Sequence, residues 1–592
     1  MDDLVFAGLN DEQISAINHP GSVFLTACPG SGKTKTLTFK IVEELKKITS
    51  HREFVVAITY THRAADEILE RVESLGLNTD QLWIGTIHSF CLEWIVRPYA
   101  IYEPRLQCGF TIINQPDADA LLDEICGGLG RPRITSFDCG YYFKDGKATP
   151  LSSDVNKHEN IRTALGEYFR ALKAERKIDF ELILYFAHNL IAKYPAIGTT
   201  LSHIFRIILV DEYQDTKEIQ YLIICAIFAA GKGKTNAFVV GDPNQAIFKT
   251  LGGYPIEFDK FVQLSKLQVT EFSLSKNYRS SSKIVEYFSN FSVFPAAITA
   301  FAECKDYPSF INYNKGIDVE FLEDEIVRLI NFSLDDLKIS QDQICIVGPQ
   351  WPSLAKLTRR LMSRLPQCNF DGPGMVPFGR ELDNFWYKLS KICLSEPAPE
   401  MYIRRLRWAG EVLSALNDEG IKCSYSKSQL LKELNRIDID EENGMRYLER
   451  YFSTFLHLLG VDIECNNGLK NHYESFFDGA SKKIQRAKKE GNDLIEGVDN
   501  FRRVFRPRGG ITISTIHGVK GAEFDNVIGF ALLQGMVPHY KDPEPLESAK
   551  KLIYVISSRA RKNLFLISEA GRDKLPTTVL KNCQYGYSPI KC

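Results

Sequence analysis

A short apolar run that breaks into a glycine-rich turn and resumes as a helix leaves a chain few folds, and residues 23–36, VFLTACPGSGKTKT, have that form. Val23-Phe24-Leu25-Thr26 reads as a buried strand, Gly30 and Gly32 as the turn, and Lys33-Thr34 as the opening of a helix. This is a P-loop, and it places the chain in the α/β class. The backbone from Ala27 through Cys28, Pro29, Gly30, Ser31 and Gly32 to Lys33, Thr34 and Lys35 forms a positively polarised cradle for phosphate oxygens. Lys33 reaches the β/γ-phosphates, and the Thr34 hydroxyl is placed to hold Mg²⁺. The pattern opens with Ala27 where Gly is general.

At 592 residues the chain exceeds one core, and about four domains are expected. A hydrophobic content of 44% and a charged content of 25% are those of an ordinary globular protein. No stretch approaches the roughly 20 apolar residues of a membrane helix, and the acidic start MDDLVFAGLNDEQ lacks the basic opening of a signal peptide. The 14 cysteines form no CxxC pair, so neither a zinc site nor a disulfide framework is indicated, and a reducing cytoplasm is expected. A net charge of −2 leaves nucleic acid open as a partner, because a local basic strip suffices to bind a backbone.

Upstream of the P-loop, Asn10 or Asp11 caps a helix carrying Gln13, whose amide can read an adenine edge bidentately. Downstream, the buried strand Val55-Val56-Ala57-Ile58 runs into Thr59-Tyr60-Thr61-His62, where Tyr60 can stack on a base and the threonines can hold phosphates. Ile84-Gly85-Thr86-Ile87-His88-Ser89 repeats the theme. From 99 to 205 turn-rich pieces alternate with helical runs, 161–174 and 180–194, which marks a helical insertion. The sheet resumes with Ile207-Ile208-Leu209-Val210, ending in Asp211-Glu212. Two carboxylates closing a buried strand demand a cation; Asp211 is assigned to Mg²⁺ and Glu212 to orienting and deprotonating the attacking water. Ala237–Val240 leads to Gln245, at the place of a γ-phosphate or water sensor. Arg279, in Asn277-Tyr278-Arg279-Ser280, is available as a cis arginine finger.

The ordered set Gln13, the P-loop, TYTHRAADEILER, GTIHSFC, VDEYQD, VGDPNQAIF and LSKNYRS resembles superfamily 1 helicases of the UvrD/Rep type. Residues 512–525 (TISTIHGVKGAEFD), 535–539 (GMVPH) and 552–560 (LIYVISSRA) resemble that family's later motifs. The resemblance implies two RecA-like P-loop domains with parallel sheets, each carrying a mainly helical insertion, with ATP and Mg²⁺ between them. The implied boundaries are 1–98 with 206–273, an insertion at 99–205, a second domain at 274–395 with 497–592, and a reduced insertion at 396–496. It also implies that Gln245, Arg279 and Arg559 sense and stabilise the γ-phosphate and that Glu523 lies near the ribose. Tyr60, Thr61, Thr86, His88 and His517 fall where the family contacts single-stranded DNA. The implied activity is an ATP-dependent helicase or translocase on single-stranded or partly duplex DNA, moving 3′→5′, in the cytoplasm and without a membrane.

Some positions depart from the family. After VGDPNQAIF the stacking aromatic is replaced by Thr250 and the arginine by Leu251, which removes a base platform of roughly 1–3 kcal/mol. Ile87 stands for Phe and Ser558 for Thr. With few residues after Ile567, no fused nuclease of the RecB or AddA kind is expected. A short chain with a reduced insertion also resembles the helicase-type subunit of Gabija anti-phage defence systems, which partners an OLD-family nuclease. The alternative function is therefore a DNA-dependent ATPase that gates such a nuclease with little unwinding; a P-loop kinase is a remote third. Further strand is expected at Val319-Glu320-Phe321 and at 343–348, followed by a helix over 353–365. Arg404, Arg405 and Arg407, the run Lys482 to Lys489, and Arg502, Arg503, Arg506 and Arg508 make either solvated faces or contacts with a duplex or a protein.

Overall fold

A computed structural model describes residues 8–373, 377–379, 381, 384–489, 493–506, 509–571 and 574–581. Arg508 and the two chain ends lie outside these residues, as do the side chains of Arg63 and Thr250. Two six-stranded sheets organise the chain. The chain separates into two compact units: Met1–Leu322, Val347–Pro349 and Ile516–Cys592 form the first, and Glu323–Ile346 with Gln350–Thr515 the second.

The first unit holds strands β1 (Ser22–Ala27), β2 (Phe54–Thr59), β3 (Leu82–Thr86), β4 (Phe205–Val210), β5 (Asn236–Gly241) and β6 (Val269–Leu274) in one parallel sheet, ordered β6-β1-β5-β4-β2-β3. Side chains alternate across it. Val23, Leu25, Val55, Ala57, Leu209 and Val240 pack on one face with Leu37 and Ile41 of the helix Lys33–Lys46. Phe24, Val56, Ile58, Ile208, Val210 and Val239 pack on the other, in a cluster shared with Leu165, Leu172, Phe186 and Leu190 of the 99–205 segment. Burial on both faces explains why these strands read as unbroken apolar runs. The 99–205 segment is mainly helical (Gln115–Gly127, His158–Ala174, Phe180–Lys193, Pro195–Ile204) with one hairpin, Tyr141–Lys144 against Lys147–Pro150.

The same unit holds the parallel strands β7 (Ile311–Ile317), β8 (Phe524–Gly529) and β9 (Ala560–Glu569), with β9 between the other two. Val319–Phe321, expected as strand, is a 3-10 turn leading into the helix Leu322–Asn331. The strand lies earlier, at β7, where Tyr313 carries the buried contact. Three residues of alternating polarity could not distinguish a strand from the first turn of an amphipathic helix.

In the second unit, the strand Phe370–Asp371 pairs parallel with Ile511–Thr515, and residues 344–346, the start of the strand Ile344–Gly348, precede the helix Trp351–Arg364. The remainder is helical (Phe385–Cys393, Tyr402–Asp418, Lys427–Leu434, Gly444–Leu459, Asn467–Lys489) around Trp386, Phe452, Phe455 and Phe476. Arg405 belongs to this core: only 4% exposed, it donates to the Ile392 carbonyl (3.2 Å) and to Asn435 Oδ1 (2.7 Å). No described helix is long and apolar enough to cross a membrane.

Candidate active site

The carboxyl ends of β1, β4 and β5 bring three sequence motifs to one edge of the first sheet, where parallel α/β sheets hold ligands. The P-loop leaves β1 through Gly30 and Gly32, whose φ values of +68° and +81° an L side chain adopts only under strain. A Cβ on Gly30 would stand 2.6 Å from Arg279 Cβ, and one on Gly32 would stand 2.7 Å from Gln13 Nε2. Ala27 does not share this conformation and is 1% exposed at the end of the strand, so a methyl group fits where the general pattern has Gly. Ser31 Oγ closes the loop on the Cys28 carbonyl (2.7 Å). The loop is also strapped from outside: Cys28 N donates to the Leu274 carbonyl (3.1 Å), Asn277 Nδ2 to the Pro29 carbonyl (2.7 Å) and Tyr278 N to the Gly30 carbonyl (2.8 Å).

Lys33 Nζ is buried with no hydrogen-bond partner among the described residues, and Glu212 Oε1 lies 3.6 Å away. An unsatisfied ammonium at the mouth of a backbone cradle fits an anionic phosphate. Lys35 donates instead to the Gly8 carbonyl (2.7 Å), and Thr34 sits half-buried in the first helical turn. Gln13 is 2% exposed; its Nε2 donates to the Ser31 carbonyl (2.9 Å) and its Oε1 accepts from Asn10 N (2.9 Å) in a capping box. Both amide groups expected to read adenine are thus occupied internally.

Asp211 and Glu212 follow β4 directly, and Glu212 takes a left-handed backbone, φ 53° and ψ 50°. Burial pushes the Asp211 carboxyl up, and the Glu212 charge adds to this. Burial also opposes ionisation of Glu212, but Lys33 and Lys520 nearby and a hydrogen bond from Gln214 Nε2 hold it below the usual carboxylate range. The pair is thereby split into an ionised Glu212 and an Asp211 whose charge calls for a cation.

Gln245 and Arg559 meet: Arg559 Nη2 donates to Gln245 Oε1 (2.9 Å), and Gln245 Nε2 donates to Asp242 Oδ2 (2.7 Å). Arg559 is 1% exposed and donates further to the Val555 carbonyl (3.1 Å), to the Ala522 carbonyl (3.4 Å) and to Ser558 Oγ (3.0 Å). Ser558 thus offers the hydroxyl that a Thr would. Arg279 Nε donates to Glu523 Oε2 (2.7 Å) and Nη1 to the Ser558 carbonyl (2.9 Å). Burial opposes the Glu523 charge, but Arg279 and Arg561 hold its pKa down to about 2.

Several residues in the site were quoted inside motifs without a role. Lys520 Nζ ties three motifs, donating to Asp215 and to the Gln245 carbonyl (3.0 Å) and standing 3.6 Å from Glu212 Oε2. Gln214 Oε1 accepts from Asp242 N (3.0 Å). Phe248 sits between Tyr60 (ring centroids 4.9 Å apart) and His517 (5.1 Å), with Lys520 Nζ 5.6 Å above its ring. An aromatic next to a polar motif was the available signal for it.

Of the candidate DNA contacts, Tyr60 is 45% exposed and His517 Nε2 donates to the Ile247 carbonyl (3.2 Å). Thr59 and Thr86 are register partners at the ends of β2 and β3. The Thr61 hydroxyl accepts from Ala64 N (3.2 Å) and the Thr86 hydroxyl from Ser89 N (3.3 Å), so both cap helices. Ile87 is buried in the core, where Phe is the usual residue. His88 stands edge-on to Phe180 (5.7 Å), and its Nε2 is buried without a hydrogen-bond partner among the described residues.

Burial, with Lys217 and His62 nearby, pulls the His88 pKa from 6.5 down to about 4. Between those values the unfolded chain takes up a proton that the folded chain refuses, so stability is lost as pH falls through this window. We expect the urea midpoint of the wild-type chain to drop from pH ~7 to pH ~5, and His88→Gln to reduce that dependence by roughly 1–3 kcal/mol. An unchanged slope in the variant would locate the proton elsewhere.

Residues 9–264 match the UvrD/REP helicase N-terminal domain, and residues 471–571 match the UvrD-like helicase C-terminal domain. The chain is 30% identical over 630 residues to a probable DNA helicase II homolog of Rickettsia conorii, covering 95% of this chain and 93% of that protein. It is 26% identical over 652 residues to ATP-dependent DNA helicase UvrD1 of Mycobacterium leprae, covering 95% and 83%. It is 29% identical over 293 residues to ATP-dependent DNA helicase PcrA of Staphylococcus aureus, covering 47% of this chain and 39% of that protein. With the motifs at one sheet edge and a relative matched over nearly its whole length, the chain belongs to the UvrD/REP helicase family.

Proposed function

We propose that this chain hydrolyses ATP, with Mg²⁺, to move 3′→5′ along single-stranded DNA and to separate partly duplex DNA. The observation that supports this most is the buried Lys33 ammonium, without a hydrogen bond among the described residues and 3.6 Å from Glu212, with Arg559 bonded to Gln245 in the same site. In this reading the P-loop backbone and Lys33 hold the phosphates. Thr34 and Asp211 hold Mg²⁺, which supplies charge neutralisation at the β/γ-phosphates. Glu212, ionised by its cationic neighbours, takes the proton of the attacking water. Gln245 positions that water and reports on the γ-phosphate to Arg559. Arg279 and Arg559 neutralise the charge that develops on the leaving group. Gln13 exchanges its internal bonds for an adenine edge, and Glu523 exchanges Arg279 for the ribose.

The division into 1–98 with 206–273, 274–395 with 497–592, and insertions at 99–205 and 396–496 belongs to the same proposal. So does the assignment of Tyr60, Thr61, Thr86, His88 and His517 to DNA, in a cytoplasmic protein. A second reading, favoured by Thr250 and Leu251, is a DNA-dependent ATPase that gates an OLD-family nuclease in a Gabija-type anti-phage system, with little unwinding. ATP hydrolysis with and without single-stranded DNA, followed by strand separation, tests both. Stimulation together with unwinding is expected; stimulation without unwinding would favour the second reading, and hydrolysis indifferent to DNA would overturn both.

A further inference from the structure

Tyr540 is 70% exposed on the segment between Gly535 and Glu544, a position to which the motif reading assigned nothing. Its backbone is not loose. Tyr540 N donates to the Gly535 carbonyl (3.0 Å), Asp542 N donates to the His539 carbonyl (2.9 Å), and Met536 bridges to His539. The ring lies 4.5 Å from that of His539 at an interplanar angle of 38°, and Lys541 Nζ stands 5.5 Å over its face. Lys541 also pairs with Asp154 of the helical insertion (3.4 Å), which ties the segment to a second element.

Four residues beyond Tyr540, Glu544 pairs with Lys249, the neighbour of Phe248. The segment therefore lies beside the stretch in which Thr250 and Leu251 replace the family's aromatic and arginine. A large ring held in water by a fixed backbone forgoes the burial that would stabilise it, and Lys541, itself paired with Asp154, places a cation at the ring. An exposed aromatic ring with a lysine beside it is the chemistry that binds unstacked bases.

We propose that Tyr540 is a base-stacking platform for single-stranded DNA, replacing the platform absent at position 250. This rests on the DNA reading above. The test is fluorescence anisotropy of the full chain with labelled oligo(dT) and with an abasic oligonucleotide of equal length. Tyr540→Ala is expected to weaken oligo(dT) binding about tenfold, the size of one base–aromatic stack, and to leave abasic binding unchanged. Tyr540→Trp is expected to retain oligo(dT) affinity. Equal oligo(dT) binding by Tyr540→Ala and wild type, or a loss of the same size on the abasic strand, would overturn the platform while leaving the DNA reading intact. If the wild-type chain bound neither oligonucleotide, the DNA reading would fall as well.

Discussion

Glu212→Gln is expected to slow ATP hydrolysis about 10²–10⁴-fold, the usual contribution of a positioned general base. The exchange keeps size and backbone conformation and removes only the charge. Nucleotide affinity is expected to hold or rise, because Lys33 and Lys520, each 3.6 Å from a Glu212 oxygen, lose their shared carboxylate and attract phosphate more freely. Single-turnover hydrolysis beside a fluorescent-nucleotide titration separates the two quantities. A variant that hydrolyses within about threefold of wild type would place the base elsewhere.

Arg559→Ala is expected to cost more, about 10³–10⁵ in rate if the guanidinium acts as a finger in cis. A second effect must be separated from the first. Arg559 is 1% exposed and donates to Gln245, Val555, Ala522 and Ser558, so its removal strands acceptors worth roughly 1–3 kcal/mol each. Burial, with Arg279 next to it, already pulls its pKa down to about 9, yet it remains charged near neutrality. Arg559→Lys keeps the charge without the planar fork. Thermal unfolding of both variants fixes the folded fraction, and hydrolysis is then compared per folded molecule. Wild-type rates in folded Arg559→Ala would remove it from catalysis and leave it a structural cross-link.

What could be read from the chain itself follows from how far apart the partners are. The cradle from Ala27 to Lys35 and the pair Asp211-Glu212 are each written in consecutive residues, where a buried apolar strand ends in polar groups. The helix cap was equally local, although Asn10 and Asp11 read alike until Asn10 is seen bonded to Gln13. The interactions that assemble these pieces are not local. Lys520 reaches Asp215 across 305 positions and Arg559 reaches Gln245 across 314, and neither separation leaves a mark in composition or periodicity. Arg405 failed to declare itself for a related reason. A helical Lys/Arg run looks like a solvated face until Asn435 and the Ile392 carbonyl turn one member inward. Val319–Phe321 was misread because alternation over three residues is too short to separate strand from helix start.

The left-handed backbone of Glu212 bears on how this chain can drift. At φ 53° a residue with a Cβ carries about 1–2 kcal/mol of conformational penalty that Gly escapes. Gly at 212 would relieve that penalty, but it would leave the Lys33 and Lys520 ammoniums, each 3.6 Å from a Glu212 oxygen, without their shared carboxylate and would remove the group that the proposed chemistry needs. Any other residue with a Cβ carries the same penalty at this φ and, unless acidic, gives up both cations, so the glutamate is held by the charge balance of the site as well as by turnover.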